Sequence, residues 1–351
     1  MVCIEDLECE QVDIETAFQN GVLEEEVYMQ LPQGLKVPGQ EGLVCRLQKS
    51  IYGLKQAPRA WHKALVQYLT TAGFEALQCE ACIFVRSTGI KTQIVDIYGD
   101  DLVLIAKTKG EVAEMKAGIQ KAFRGKDMGG PVSYIVGIKV VRDRAQRKLW
   151  INQQLSADNI VNRFNMQHAF ATKVPSIPEK KLRKVNGVDA TGDVMSDMAT
   201  KPFRQASDVS DERVEAELAF SIQDVSLFLN AYAKPHWEAV KQIIKYVKGT
   251  TGHGLGFSGS DIRLSAYSDS DYAAEEDERK SVSGYVTFIG NCAVTWSSRK
   301  QRIVTQSTVE AEYIALAHCT REVLFIWQLL SELGYEQGRH RYLKTTRHAS
   351  L

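Results

Sequence analysis

The tetrapeptide Tyr98-Gly99-Asp100-Asp101 sets two adjacent carboxylates between two apolar runs, residues 92–98 and 102–106. Runs of that length around a Gly-Asp step predict two strands joined by a tight hairpin turn. Such strands would fix both side chains at one end of a sheet, where like charges repel unless a cation neutralises them. Mg2+ takes one or two protein carboxylates and completes its shell with water and substrate phosphates. A rigid Asp pair therefore points to phosphoryl-transfer chemistry more than to a structural metal cage. A solvated turn is the other reading, because Gly-Asp steps are ordinary hairpin punctuation. Upstream, Val12-Asp13-Ile14-Glu15-Thr16-Ala17-Phe18 brings a third carboxylate in an apolar stretch, followed by an aromatic ring.

Periodicity predicts the elements that must hold these residues. Val27, Met29 and Leu31 alternate as in a half-buried strand ahead of Pro32 and Gly34. Pro58 opens a helix with Trp61, Leu65, Leu69 and Ala72 on one face, and Gly73 stops it. A strand near residues 82–86 follows, then the Asp-Asp hairpin, then a helix over 111–123 with Val112, Met115, Ile119 and Phe123 inward. A second hairpin pairs 133–141 with 148–152, and the mixture is an α+β pattern. Pro175, Pro178, the basic run Lys180-Lys181-Leu182-Arg183-Lys184 and "VNGVDATGDVMSD" read as a linker or surface loop. Helical stretches at 214–233 and in "HWEAVKQIIKYVKGT" come next, the latter with Trp237, Ile244 and Val247 buried.

Three strands then follow, around Leu264 and Ala266, in "GYVTFIG" and in "AVTWSS". Asp269 stands at the end of the first, and Glu312 lies in the opening turns of a helix begun at Ser307. Ser307 with Glu310 makes a capping-box pattern, which explains Glu310 as a helix start rather than a ligand. Asp271 and the acidic residues 275–278 read as solvated loop charges.

Composition bounds the class. With 351 residues, 44% hydrophobic and 25% charged, the chain has enough apolar material for two or three domains with cores. No run of about 18 apolar residues occurs, and the acidic start "MVCIEDLECE" lacks a signal-peptide pattern; an intracellular protein with no membrane partner is expected. Seven scattered cysteines fit reduced thiols, with Cys79 and Cys82 as small buried side chains. A formal net charge of zero means that any nucleic-acid surface must be a local basic patch.

Three ordered blocks, "QVDIETAFQNGVLEEEVYMQLPQG", "CRLQKSIYGLKQAPRAW" and "IYGDDLVLIAKT", resemble the reverse transcriptase of copia-type LTR retrotransposon Pol polyproteins. The likeness continues through "VSYIVGIKVVRD", "LWINQQLSADNIVNRFNM" and "KPHWEAVKQIIKYVKGTTGHGLGF". It implies a polymerase palm-like domain over 1–171, a linker and connection over 172–235, a partial RNase H-like mixed α/β domain over 236–338 and a tail over 339–351. By the same resemblance, Asp13, Asp100 and Asp101 hold Mg2+ or Mn2+ with the Ile14 carbonyl, and Phe18 lies under the incoming sugar, excluding a 2′-OH. Gln56 touches the incoming nucleotide, and Lys49, Lys55 and Arg59 could supply phosphate contacts. Asp269 and Glu312 would hold metal for hydrolysis of RNA in an RNA:DNA hybrid, whose backbone Arg279, Lys280 and Ser281 could contact. The implied partners are an RNA template, a DNA primer and deoxynucleotides.

Departures from the family pattern set further expectations. The chain opens 12 residues before Asp13, where the family carries a fingers segment with triphosphate-gripping cations, and its last residues, "YEQGRHRYLKTTRHASL", contain no counterpart of the third and fourth RNase H acids. A fragment truncated at both ends is expected, with an impaired polymerase half and negligible RNase H activity. The region 203–229 lacks the family's Arg-Pro-Asp block, which suggests an internal deletion. Gly99 replaces the more frequent valine, relaxing the turn.

Overall fold

The computed structural model describes residues 1–32, 34, 43–88, 91–176, 182–183, 201–203, 205–206, 217–230, 232–258, 262–275, 277–338 and 343–345. They fall into two units, Met1–Val132 and Ser133–Leu351. The first unit runs β1 (Glu8–Ile14), a 3-10 turn (Ala17–Asn20), β2 (Val22–Gln30), β3 (Val44–Lys49), α1 (Ala57–Thr71), β4 (Glu75–Ala76), β5 (Ile83–Thr88), β6 (Lys91–Tyr98), β7 (Asp101–Ala106), α2 (Lys109–Ala122) and β8 (Gly125–Pro131). Six strands form one antiparallel sheet in the order β4-β5-β6-β7-β1-β8, while β2 and β3 make a separate ribbon.

Alternation along the central strands decides which side chains meet the helices. Val12 and Ile14 of β1, Val95 and Ile97 of β6, and Leu102, Leu104 and Ala106 of β7 join one core with Trp61, Leu65 and Leu69 of α1 and Val112, Met115 and Ile119 of α2. Gln11, Asp13, Asp101 and Val103 therefore take the opposite face. Each fully buried Leu or Ile in that core contributes about 1.5–3 kcal/mol, and truncating Leu65 to Ala would cost about 2–5 kcal/mol. The helix faces expected from the spacing are thus the ones that build the core.

α2 starts on a capping box: Glu111 N–H donates to Thr108 Oγ1 at 3.3 Å, and Thr108 N–H donates to the Glu111 carboxylate at 3.1 Å. The same helix carries Lys116, whose side chain is 8% exposed and meets Glu10 and Asp127 at 2.5 Å each. Burial alone would push the Lys116 ammonium down, but hydrogen bonds to Asp127 and Glu10 outweigh it and hold the group above its ordinary value. This triad ties α2 to β1 and β8, the strands beside the acidic site.

The second unit comprises β9 (Tyr134–Ile135), β10 (Ile138–Asp143), β11 (Lys148–Asn152), α3 (Gln154–Arg163), α4 (Leu218–Ser226), α5 (Lys234–Gly249), β12 (Leu255–Ser258), β13 (Leu264–Asp271), β14 (Val282–Ile289), β15 (Cys292–Lys300), α6 (Thr308–Glu332) and β16 (Leu343–Thr345). The β10–β11 hairpin forms as the sequence predicts. The expected strand over 133–141 is instead broken, because Val136 (φ 48°) and Gly137 (φ 76°) turn through the left-handed region and fold β9 back on β10. Unforeseen, β12 adds to β11 from about a hundred residues downstream. A Cβ at Gly254 would stand 2.3 Å from the Ile151 carbonyl oxygen, so glycine is required where the chain enters β12.

Helices α3, α4 and α5 share a core that includes Ile160, Leu218, Ile222, Val240, Ile243, Ile244 and Val247. Ile244 and Val247 are buried as expected, whereas Trp237 is only half-buried at the cluster's margin. Leu182 packs against this core, while Pro178, Lys180, Lys181, Lys184 and most of the predicted linker lie outside the described residues. The last sheet has the order β15-β14-β13-β16, antiparallel except that β16 pairs parallel to β13, Leu343 opposite Ala266. The segment read as a tail thus contributes a strand. A parallel partner needs a crossover, and α6 provides it, packing Cys319, Val323, Ile326 and Leu330 on Leu264 and Ala266.

Candidate active site

The first unit brings its three predicted carboxylates together through strand register. Asp13, near the end of β1, stands directly opposite Asp101, the first residue of β7. Tyr98 pairs with Asp101, so Gly99 and Asp100 are the two residues of the hairpin turn, and Gly99 takes the left-handed conformation at φ +63°. Two hydrogen bonds seat the turn: Ile14 N–H donates to the Asp100 carbonyl at 2.9 Å, and the Trp61 indole N–H donates to the Gly99 carbonyl at 2.8 Å.

The electrostatics follow from that placement. Burial, then the Asp100 and Asp101 charges, hold the Asp13 carboxyl above the usual carboxylate range, while Lys126 of β8, opposite Asp13 on its other side, pulls the other way. Among the described residues no three carboxylate, imidazole or thiol groups converge on one point. Hard carboxylate oxygens are the donor type Mg2+ takes, one or two from protein with phosphates completing the shell, so these aspartates would serve such an ion in pairs rather than as a closed cage.

The remaining predicted residues divide. Phe18 lies on the 3-10 turn, half-buried, with the Tyr52 ring edge-on at 4.4 Å, and its carbonyl accepts the buried Ser50 hydroxyl. Ile14 is buried beside Asp13. Gln56, just before α1, directs its amide to Glu25 of β2 at 3.4 Å. Lys49, Lys55 and Arg59 are exposed. Two residues that sequence reasoning missed touch the acids: the Tyr52 hydroxyl donates to Asp100 Oδ2 at 3.2 Å, and the Gln11 amide donates to Asp101 Oδ1 at 2.7 Å. Tyr52 lies inside the block "CRLQKSIYGLKQAPRAW", and Gln11 opens "QVDIETAFQNGVLEEEVYMQLPQG" two residues before Asp13, so membership of the motifs was the one available signal.

In the second unit Asp269 on β13 and Glu312 on α6 come together. Burial, then the Asp269 charge, raise the Glu312 carboxyl above its ordinary value. Ser270 N–H donates to Glu312 Oε1 at 3.3 Å, and among the described residues no hydrogen-bond partner reaches the buried Oε2. Asp269 and Asp271 border a cavity of about 850 Å3 walled by Phe220, Tyr267, Val286 and Trp296. Ser307 Oγ accepts the Glu310 N–H at 3.1 Å, but the Glu310 carboxylate accepts from Gln306 N–H rather than from Ser307, so the capping box closes one residue early.

Two expectations need correction there. Ser281 is fully buried, accepting the Ala273 N–H at 3.1 Å and sharing a hydrogen bond with Thr305 at 2.9 Å, so it offers nothing to a nucleic-acid backbone. Glu275 and Glu278 are not simply solvated: both meet Lys300 of β15, at 3.6 and 3.2 Å, and the Glu275 side chain is 8% exposed.

Comparison with known proteins then places the chain. The family described as "Reverse transcriptase (RNA-dependent DNA polymerase)" matches residues 1–178, and the chain belongs to it. Its first part is accordingly a polymerase-like domain, in a mixed α+β architecture. The chain is 39% identical over 339 residues to the retrovirus-related Pol polyprotein from transposon TNT 1-94 of Nicotiana tabacum, covering 95% of this chain and 25% of that protein. It is 30% identical over 335 residues to the Pol polyprotein from transposon RE1 of Arabidopsis thaliana, covering 94% of this chain and 22% of that protein. A putative transposon Ty5-1 protein of Saccharomyces cerevisiae matches at 25% over 322 residues, 89% of this chain and 100% of that protein. The resemblance to copia-type retrotransposon Pol proteins therefore holds, and the chain spans about a quarter of the two Pol polyproteins. Among the described residues no helix is long and apolar enough to cross a membrane.

Proposed function

We propose that this chain is a retrotransposon-derived RNA-directed DNA polymerase segment, adding deoxynucleotides to a primer 3′-OH on an RNA template. The observation that carries the reading is the register that faces Asp13 with Asp101 and sets Asp100 in the adjoining turn. Asp13, Asp100 and Asp101 would hold Mg2+ or Mn2+, with the Ile14 carbonyl as a further ligand. A metal held there would supply Lewis-acid chemistry, lowering the pKa of the primer hydroxyl and offsetting charge on the transferring phosphate. Phe18, braced by Tyr52, would form the floor under the sugar and exclude a 2′-OH. Gln56 would reach a nucleotide by leaving Glu25.

The C-terminal part of the second unit supports an RNase H-like reading. Its antiparallel strands with a parallel β16 after α6, and the shared environment of Asp269 and Glu312, fit a residual domain of that kind; two carboxylates alone would hold a metal pair poorly, so hybrid cleavage is expected to be negligible. One observation favours an alternative, a catalytically inactive retroelement remnant that at most binds nucleic acid weakly: among the described residues no three acid, imidazole or thiol groups converge as a metal-holding cluster.

Primer extension on an RNA template with Mg2+ or Mn2+, beside the Asp100→Asn, Asp101→Asn double variant, tests the proposal. Extension that disappears in the variant supports the polymerase. A folded chain that never extends the primer supports the remnant.

A further inference from the structure

Resting on that reading, we propose that Gln11 is a positioning residue: a neutral amide that holds the Asp101 carboxylate in place for a divalent cation without cancelling its charge. Gln11 is 9% exposed, and an amide so buried is costly unless hydrogen-bonded. On β1 it shares a face with Asp13 and sits diagonally across from Asp101, since Gln11 opposes Val103 and Asp13 opposes Asp101. Its side-chain N–H donates to Asp101 Oδ1 at 2.7 Å, leaving Oδ2 for a ligand.

The geometry matters because Asp13 stands directly opposite. Repulsion between the two carboxylates favours rotation of Asp101 away from Asp13, and the Gln11 hydrogen bond opposes that rotation. A lysine or arginine at this position would hold Asp101 as firmly, but its positive charge would compete with the metal. The amide provides the tether and keeps the full negative charge. Tyr52 makes the equivalent contact to Asp100 from an exposed position, whereas Asp13 receives no side-chain hydrogen bond among the described residues. Outer partners of this kind typically change metal affinity ten- to a hundredfold.

The experiment is Mn2+ binding to the whole chain by calorimetry, with metal-dependent primer extension as a second readout. Gln11→Met keeps length and apolar fit but removes the donor. It is expected to bind Mn2+ about ten- to a hundredfold more weakly and to regain wild-type kcat when metal is raised to saturation. Gln11→Lys, whose flexible stem can pair with Asp101 and keep the fold, is expected to lose Mn2+ binding altogether. Wild-type affinity in both variants, or a kcat defect in Gln11→Met that metal does not relieve, would overturn the proposal and leave Gln11 a packing residue. Asp101→Asn separates the two claims: if wild type and Asp101→Asn bind Mn2+ alike, the metal-site reading itself fails and the role of Gln11 falls with it.

Discussion

The Trp61 indole N–H reaches from α1 to the Gly99 carbonyl at 2.8 Å, so a core side chain at 2% exposure pins the turn that carries Asp100. Helix packing and the acidic site are thereby one structure. Trp61→Phe keeps an aromatic ring against Phe123 but removes the donor and part of the volume. It should cost about 1–3 kcal/mol in chemical denaturation and speed amide exchange at Asp101. Unchanged exchange would mean the turn is held by its strands alone.

Asp13 carries charge that its surroundings oppose, because burial and its two acidic neighbours hold its carboxyl above the usual range. Replacing it with Asn removes the repulsion. Asp13→Asn is expected to raise the metal-free melting midpoint, by about 1 kcal/mol or less of stability, the Coulomb scale for nearby charges in a wet site. Added Mn2+ should then stabilise the wild type and leave the variant unmoved.

Asp224 of α4 is pushed up to about 6 by burial. A carboxyl raised in the folded state favours the protonated form there, so its contribution to stability is full below the ordinary value near 3.8 and is lost as pH rises toward 6. Asp224→Asn should therefore stabilise the protein at pH 7 by roughly 1–3 kcal/mol and have little effect at pH 4. Melting midpoints at the two pH values decide it.

His236 gives the opposite slope. Burial holds its imidazole below the ordinary value, and both ring nitrogens are committed: Nδ1 accepts the Ala233 N–H at 2.9 Å, leaving Nε2–H to donate to the Arg183 carbonyl at 3.0 Å. A second proton would set N–H against N–H at Ala233. Stability is therefore retained above about pH 6.5 and lost as pH falls through that value toward the lower folded one. His236→Gln should flatten the acid limb of a melting curve measured from pH 8 to 5.

Much of the first unit could be read from local pattern. Trp61, Leu65 and Leu69 announced one helix face, Val112, Met115 and Ile119 another, and Gly99-Asp100 a hairpin, because each signal lies within one element's own period. What escaped was the long-range part. Gln11 and Asp101 are 90 residues apart, and nothing local in a buried glutamine says which carboxylate it will meet. The pairing of β12 with β11, the parallel β16 and the burial of Ser281 escaped for the same reason: each depends on a partner distant in the chain. Val136 escaped for another reason, since a β-branched residue at positive φ runs against its own preference.

The register of β1 makes this strand count in pairs. Gaining or losing one residue between Glu8 and Asp13 would send Asp13 into the core beside Leu65 and turn Val12 toward Asp101, so a single lesion would spoil the hydrophobic interior and the acidic site together. Substitutions can accumulate gradually along β1, but changes of length cannot. Copies of such an element that drift without selection should therefore lose function abruptly at this strand.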